Sequence, residues 1–221
     1  MTLEFKKRIF TSICLILLLF LMFTHTYILI ISVIIISIIS WIEFYSLISK
    51  IYYRNNSKNK ILRFIYKSLS LLYLVFLAYL ILFAVFNGNS LKIFLLYSLL
   101  VSIMSDLGGI FFGKLFNGPK LTKISPNKTI SGSIGSFIFS ILLVPVFNER
   151  IVEFNFFLLF FITLLISLTS QFGDLLISFF KRKAKTKNTS DLLPGHGGFL
   201  DRIDGIIFAI PIGIFLLDYF K

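Results

Sequence analysis

Apolar residues run in long blocks along this chain, and polar residues collect in the short stretches between the blocks. A helix needs about 20 apolar residues to cross a bilayer. A window of that length predicts seven apolar segments, near 8–24, 27–49, 64–87, 90–113, 133–148, 154–181 and 203–220. The pattern predicts an all-α fold, a polytopic transmembrane helical bundle of about seven spans. Because the first segment is short and the turn THT follows it, the first two segments are expected to form a tilted or partly re-entrant hairpin.

The composition is that of an integral membrane protein. Of the 221 residues, 57% are hydrophobic and 14% are charged, and the mean hydropathy is +0.93, which is far from the range of soluble domains. The net charge of +12 does not indicate a nucleic-acid partner, because basic membrane proteins carry their charge in inner loops. The single Cys14 allows no disulfide framework within the chain. The basic, then apolar N-terminus has no small-residue cleavage site after it, which predicts an uncleaved anchor.

Basic residues divide unequally between the two sides that the seven segments define. With a cytoplasmic N-terminus, 19 of the 22 Lys and Arg residues lie in inner stretches, at 6–8, 50–67, 114–128 and 181–202. Lys92, Arg150 and Lys221 are left outside. The positive-inside rule therefore predicts that the N-terminus is cytoplasmic and that any site faces the cytoplasm. We divide the chain into N-terminal hydrophobic spans, 1–88, and a catalytic transmembrane region, 89–221.

Aspartates stand at or near the predicted cytoplasmic ends of the segments, namely Asp106, Asp174, Asp201 and Asp204. An aspartate inside a membrane helix costs about 2.5–3.5 kcal/mol unless it is paired or faces water, so such residues are candidates for function. Helical spacing places Asp174, Ser178, Lys181 and Arg182 on one stripe, at the end of the segment 154–181 and just beyond it. Asp201 and Asp204 share one face at the start of the last segment.

Three carboxylates, Asp174, Asp201 and Asp204, beside basic loops suit Mg²⁺ or another divalent cation that also holds substrate phosphates. The glycines of PGHGG, residues 194–198, would let the backbone approach those phosphates closely. In the alternative interpretation, Asp201 and Asp204 complement the dipole of the last helix and Asp174 pairs with a Lys or Arg. Both interpretations stay open at this point. Asp201→Asn keeps the size of the side chain and is expected to spare folding while removing activity.

Two loops carry further candidates. The basic stretch at 118–136 is rich in Ser and Gly and opens a helix, which suits an anion cradle or a contact with acidic lipids. His196 lies in the glycine loop, where it would contact a phosphate or a leaving group or serve the structure alone, and His25 is set aside. The sequence has no Walker A, GxGxxG or HExxH motif and no cysteine pair, which argues against soluble nucleotide-binding folds.

The stretch SFFKRKAKTKNTSDLLPGHGGFLDRID, residues 178–204, resembles the C-terminal signature of the phosphatidate cytidylyltransferases, or CDP-diglyceride synthases. The matching positions are Ser178, Lys181, Arg182, Lys187, Pro194, Gly195, His196, Gly197, Gly198, Asp201, Arg202 and Asp204. Upstream, SDLGGIFFGKLFNGPKLTKISPNKT resembles the family's Asp-containing helix and its Ile-Ser-Pro-x-Lys-Thr loop. The similarity runs from about residue 105 to 205, and the first hundred residues match only as hydrophobic spans.

The chain departs from the family pattern at a few positions. Asn188 stands where the pattern has Asp, Ser131 where it usually has Glu, and Gly109 and Ile110 where it usually has Ala-Tyr. The chain is also short for the family. Because the three core aspartates are present, an active enzyme is expected, and Asn188→Asp should change activity by no more than a few-fold.

The resemblance implies transfer of a cytidylyl group from CTP to phosphatidate drawn from the membrane lipid, with CDP-diacylglycerol and pyrophosphate as products. It implies a homodimer in a bacterial inner membrane, with no nucleic acid involved. Residues implied at the reaction centre are Asp174, Asp201 and Asp204, which also hold the metal, with Lys187 and His196. Implied substrate contacts are Lys181, Arg182, Arg202, Ser178, Gly197, Gly198, Asp106, Ser125 and Lys128. Two alternatives stay open: a CTP-dependent lipid-alcohol kinase of the related superfamily, and a catalytically degenerate membrane protein.

Overall fold

The computed structural model describes residues 3–54, 56–151 and 155–220, without the side chains of residues 3–5 and 8. Most of these residues are helical. The helices are α1 Leu3–Thr24, α2 Thr26–Ile51, α3 Ser57–Phe86, α4 Asn89–Phe116, α5 Ile130–Ile141, α6 Leu143–Asn148, α7 Phe156–Lys183, α8 Leu200–Ile203 and α9 Ile206–Tyr219. The prediction of an all-α fold is confirmed for the described residues. Residue 154, where one predicted segment begins, lies outside them, as do Lys221 and the side chain of Arg8.

Five helical stretches among the described residues are long and apolar enough to cross a membrane: Thr26–Ile51, Ser57–Phe86, Asn89–Phe116, Ile130–Asn148, which comprises α5 and α6, and Phe156–Lys183. The first and last predicted segments are shorter. The apolar part of α1, Ile9–Thr24, spans about 24 Å and α9 about 21 Å at 1.5 Å per residue, against a hydrocarbon core of about 30 Å. Five candidate spans are therefore present, and the count of seven stays a prediction.

Large apolar side chains cover the outside of these helices. Phe64 of α3 is 73% exposed and Phe157 of α7 is 70% exposed, and similar side chains follow along both helices. A soluble protein rarely exposes contiguous apolar surface of this kind. In a bilayer such side chains face lipid while each helix satisfies its own backbone hydrogen bonds. The apolar helices thus fit an integral membrane protein.

The chain packs as two compact units. Unit 1 comprises Met1–Leu82 and Phe180–Ile203, and unit 2 comprises Phe83–Phe179 and Asp204–Lys221. The segment that joins α7 to α8 therefore packs with the N-terminal helices. The functional division predicted at residues 88 and 89 follows a different boundary and stays a prediction.

In unit 1, α1 packs against α2 after a single-residue break. That residue, His25, has extended backbone angles, φ −125° and ψ 109°. An aromatic cluster then joins α2 and α3 to the end of α7: the ring of Phe180 lies 5.1 Å from that of Phe44 and 6.0 Å from that of Tyr66. This cluster fixes the start of the α7–α8 segment against α2.

In unit 2, small residues bring the helices together. A Cβ added to Gly135 of α5 would lie 2.7 Å from the carbonyl oxygen of Gly108 in α4, so only glycine allows this approach. Between α4 and α7, the hydroxyls of Ser102 and Ser170 lie 2.7 Å apart. Small residues and interhelical hydroxyl bonds are the usual means of packing helices in membranes, where no hydrophobic force drives helix association.

Candidate active site

The loop before α5 is held by hydrogen bonds between its own residues. Lys128 lies in this loop, two residues before α5 begins. Thr129 caps α5, because its side chain accepts a hydrogen bond from the backbone N–H of Gly132 at 3.1 Å. The N–H of Lys128 donates to the carbonyl of Ser125 at 3.1 Å, which forms a tight turn. These residues belong to the loop that the sequence identifies as a candidate anion cradle. Its binding role stays a prediction.

Within unit 2, Lys128 forms an ion pair with Asp174 of α7. The side chains are 26% and 24% exposed, so solvent reaches both. Ser178, one turn further along α7, lies with its hydroxyl 3.4 Å from Oδ1 of Asp174, which is a long hydrogen bond. We call Lys128, Asp174 and Ser178 the Asp174 cluster. The pairing of Asp174 with a lysine agrees with the alternative interpretation of this residue.

Asp201 of unit 1 has a more enclosed and more complete set of partners. Lys181 Nζ lies 2.7 Å from Asp201 Oδ1, and these side chains are 12% and 8% exposed. The other oxygen, Oδ2, accepts from Thr189 N at 2.9 Å, Thr189 Oγ1 at 3.1 Å and Gly198 N at 3.1 Å. We call Lys181, Thr189, Gly198 and Asp201 the Asp201 cluster. This cluster joins the end of α7, the segment between α7 and α8, and α8 itself.

The glycine loop between the ends of this segment is a tight turn. The N–H of His196 donates to the carbonyl of Leu193 at 2.9 Å, and Leu193 and Gly197 form an antiparallel bridge. Gly195 and Gly197 have φ values of +78° and +83°, which other residues rarely adopt. A Cβ on Gly197 would also lie 3.2 Å from Asp201 Oδ2. Glycine thus lets the turn form directly against the aspartate.

His196 is held by hydroxyls of α1. Its Nδ1 is hydrogen-bonded to Thr11 Oγ1, and Ser12 Oγ lies 3.4 Å from its Nε2. Its carbonyl accepts a hydrogen bond from Arg202 at 2.7 Å. These contacts are those expected if His196 serves the structure, and a direct role in the reaction stays a prediction.

The remaining predicted residues differ in exposure. Arg182, Lys187 and Asp106 are exposed. Asp204 is buried at 7% exposure, and its Oδ1 lies 3.0 Å from the N–H of Gly205. Asp204 and Asp174 belong to unit 2 and Asp201 belongs to unit 1, so the meeting of the three carboxylates stays a prediction.

The residues that the structure describes contain no preformed binding site for a metal ion. Among them, no group of three or more His, Cys, Asp or Glu side chains is placed to hold an ion. Asp174 and Asp201 are each neutralised by a lysine instead. Magnesium therefore stays a prediction, and we derive no step from it.

The structure adds a residue that the sequence analysis missed. Glu43 of α2 is 3% exposed, and its carboxylate accepts hydrogen bonds from the α7–α8 segment, including one from Thr189 Oγ1 at 2.8 Å. The signal was present, because Glu43 is an acidic residue inside an apolar segment, as Asp174 is. Placing a carboxylate inside a membrane helix is costly at both positions.

Two of the departures from the family pattern have local contacts. Ser131 accepts a hydrogen bond from the N–H of Gly118 at 3.3 Å and lies 3.0 Å from the hydroxyl of Thr129, so it closes the loop before α5. Asn188 is exposed and lies against Gly197, since a Cβ there would be 3.0 Å from Asn188 Cγ. Ser131 and Asn188 are not among the hydrogen-bond partners found for the carboxylates of Asp174 and Asp201.

Comparisons with known proteins agree with the resemblance found in the sequence. A family model described as the cytidylyltransferase family matches residues 2–220. Curated relatives include a protein named phosphatidate cytidylyltransferase from Staphylococcus haemolyticus (strain JCSC1435), which is 44% identical over 122 residues. Another of the same name, from Staphylococcus aureus (strain COL), is 43% identical over 122 residues. Each match covers 54% of this chain and 46% of the relative, so the chain spans about half the length of the curated relatives it matches.

Proposed function

Because the chain belongs to the cytidylyltransferase family, we propose that it transfers a cytidylyl group from CTP to phosphatidate, giving CDP-diacylglycerol and pyrophosphate. The observation that carries this proposal is the family match over residues 2–220. The names of the relatives specify phosphatidate as the acceptor. The apolar helices support a lipid acceptor, since such a substrate lies in the same bilayer.

In the proposed reaction, a phosphate oxygen of phosphatidate attacks the α-phosphorus of CTP. The bond from that phosphorus to the bridging oxygen breaks, and pyrophosphate leaves with the electron pair. The attacking oxygen is already anionic, so the reaction needs neither a covalent nucleophile nor a general base. It needs two anions held in line with their repulsion offset, which is a task for fixed cations.

Each cluster, taken by itself, has a lysine that suits the task of offsetting phosphate charge. An ammonium group has three N–H donors. Lys181 gives one to Asp201 at 2.7 Å, which fixes the ammonium while leaving donors for a phosphate oxygen. Lys128 is held in the same way by Asp174. The exposed Arg182 and Lys187 add positive charge along the α7–α8 segment.

We propose that the chain lies in a bacterial inner membrane with seven spans and a cytoplasmic N-terminus. The distribution of basic residues supports this orientation, and the five candidate spans support the membrane setting. Cysteines introduced singly at 58, 123 and 185 into a Cys14→Ser variant test it. They should react with a membrane-impermeant maleimide only after the cells are opened, and labelling of intact cells at any of them would overturn the orientation.

The activity is tested with purified protein in detergent, phosphatidate, magnesium and CTP labelled in either the α or the γ position. The proposal predicts a lipid product that carries the α label and free pyrophosphate that carries the γ label. A lipid that carries the γ label would instead identify a lipid-alcohol kinase, when such an alcohol is supplied. No labelled lipid from either nucleotide, at normal protein levels, would identify a degenerate protein.

Magnesium and a homodimer belong to the same proposal. Chelation by EDTA should stop product formation and added Mg²⁺ should restore it. Detergent-corrected light scattering should give twice the mass of one chain. A single-chain mass with full activity would overturn the dimer alone.

A further inference from the structure

Glu43 binds the segment between α7 and α8 on both sides of its glycine loop. Its Oε1 accepts from Ser190 Oγ at 2.6 Å and from Phe199 N at 2.9 Å. Its Oε2 accepts from Thr189 Oγ1 and from Leu200 N, each at 2.8 Å. Two of the donors precede the glycine loop and two follow it. The carboxylate of Glu43 therefore holds together the two stretches of chain on either side of the glycine loop.

The charge of Glu43 is balanced by hydrogen bonds within the described residues. Its side chain is 3% exposed, and it is not part of the ion pairs Lys128–Asp174 and Lys181–Asp201. The four donors fill the acceptor sites of the carboxylate. An apolar residue of similar volume often stabilises a fold as well as a buried charge does. The carboxylate thus provides geometry that an apolar side chain would not.

Thr189 connects Glu43 to Asp201. Its hydroxyl lies 2.8 Å from Glu43 Oε2 and 3.1 Å from Asp201 Oδ2, and its N–H donates to the same Asp201 oxygen at 2.9 Å. One hydroxyl proton is shared between two carboxylates. Asp201 in turn holds Lys181 at 2.7 Å. A displacement of Glu43 would therefore move the ammonium group of Lys181 as well, through Thr189 and Asp201.

Gly198 leaves the space that this connection occupies. A Cβ at position 198 would overlap Thr189 Oγ1 and would lie 2.7 Å from Glu43 Oε2. Both neighbours are held by their other hydrogen bonds, so neither is free to move aside. The last glycine of the GHGG sequence, Gly198, is thus required by Glu43 and Thr189.

We propose that Glu43 is a positioning residue for cytidylyl transfer, which fixes the α7–α8 segment and, through Thr189, sets the orientation of Asp201 and Lys181. This inference rests on the proposed function. Because Glu43 acts on the geometry of groups that neutralise the transition state, its loss lowers kcat more than it raises the KM for CTP.

The first test compares two pairs of variants. Glu43→Gln keeps the size but loses two acceptor sites, and Thr189→Val keeps the shape but loses the hydroxyl. Each should lower kcat by about 10–100-fold, because the groups that hold the substrates are misplaced, with the KM for CTP changed by less than about 3-fold. The controls are Thr189→Ser, which keeps the hydroxyl, and Ser40→Ala, which changes a buried serine of α2 bonded to its own helix at 2.7 Å. Both controls should stay within about 3-fold of the original protein.

The double variant Glu43→Gln with Thr189→Val shows whether the two residues act together. If Glu43 acts through Thr189, the double variant should lose no more than about 2-fold beyond the worse single variant. A loss equal to the product of the two single losses would overturn the connection. So would a Glu43→Gln protein with unchanged kcat at a normal protein level.

Amide hydrogen exchange provides a readout that does not depend on turnover. The amides of Phe199 and Leu200 should exchange at least about 10-fold faster in Glu43→Gln and at the original rate in Ser40→Ala. If the original protein makes no CDP-diacylglycerol, the proposed function fails, and unchanged exchange in Glu43→Gln overturns the present inference separately. If Glu43→Gln does not accumulate, equal kcat in Thr189→Val and Thr189→Ser overturns it.

Discussion

The two lysine–aspartate pairs of this protein are alike in chemistry and different in surroundings. Asp174 and Lys128 are each about a quarter exposed, and beyond the lysine the carboxylate has a hydroxyl at 3.4 Å. Asp201 and Lys181 are 8% and 12% exposed, and Asp201 also accepts three hydrogen bonds from Thr189 and Gly198. The first pair is open to an incoming ligand. The second also supports the loop that surrounds it.

This difference changes what the loss of one charge should cost. Breaking a buried ion pair by removing one partner costs about 3–5 kcal/mol, because the other charge is left without compensation. An exposed pair contributes about 0–1 kcal/mol. A change that removes one carboxylate charge should therefore affect activity at both places and stability mainly at Asp201.

Asp201→Asn should have the largest effect. It leaves Lys181 unpaired in an enclosed position, so we expect a loss of about 3 kcal/mol in the free energy of unfolding and a fall of about 6–12 °C in melting temperature. Activity should fall by about 100-fold, because Lys181 and the loop around it are misplaced. This revises the expectation from the sequence that folding would be spared. Melting in detergent and CTP-dependent product formation measure the two effects.

The control for Asp201→Asn is the double change Lys181→Met with Asp201→Asn, which removes both charges. It should recover at least half of the lost melting temperature and none of the lost activity, because an uncharged pair carries no uncompensated charge. A melting temperature for Asp201→Asn within about 2 °C of the original would contradict the assignment of a supporting role to this pair.

Asp174→Asn should separate activity from stability. Activity should fall by about 10–100-fold, because Lys128 is no longer held in place. The melting temperature should change by less than about 4 °C, because water compensates Lys128. The same melting and product measurements apply. A loss of stability as large as that of Asp201→Asn would show that the two pairs do not differ as their exposure indicates.

Ser178→Ala should have a smaller effect on the open pair. Its hydroxyl is 3.4 Å from Asp174 Oδ1, beyond the optimal range for a hydrogen bond, so activity should fall by less than about 5-fold. Thr189→Val, which removes a shorter bond to Asp201, should cost more. Equal losses in kcat for the two variants would mean that the hydrogen bonds around Asp201 add nothing beyond those around Asp174.

The apolar pattern predicted where helices lie, and the structure shows what divides them. The predicted segment 133–148 is two helices, α5 and α6, which meet at Leu142. Pro145 explains the break, because it has no N–H to donate and its ring clashes with the carbonyl four residues earlier, at Ile141. In the predicted segment 203–220, the last helix, α9, begins only at Ile206. Such interruptions depend on single residues that a window of about 20 residues averages out.

The motif identified Asp174 and Asp201 from the sequence, but their partners came from the fold. Lys181 and Asp201 are 20 residues apart in the chain, and their pairing depends on closure of the loop between them. Glu43 lies 146 residues from Thr189, a separation over which helical spacing gives no information. The alternative interpretation of Asp174 as a paired residue was correct in its contact, since Lys128 is its partner.

Asn188→Asp should have the smallest effect on the enclosed pair. Asn188 is exposed and lies against Gly197, while the charge of Asp201 is already neutralised by Lys181 at 2.7 Å. A negative charge in water interacts with another at close range by about 1 kcal/mol, so kcat should change by less than about 5-fold. Asp191→Asn, which alters an exposed charge of the same segment in the opposite sense, is the matched control. A gain of more than about 10-fold in Asn188→Asp alone, measured as kcat with CTP and phosphatidate, would mean that the asparagine impairs this chain. A loss of that size would mean that solvent does not screen Asp201 from its neighbours, and the contrast between an enclosed pair and an open pair would no longer hold.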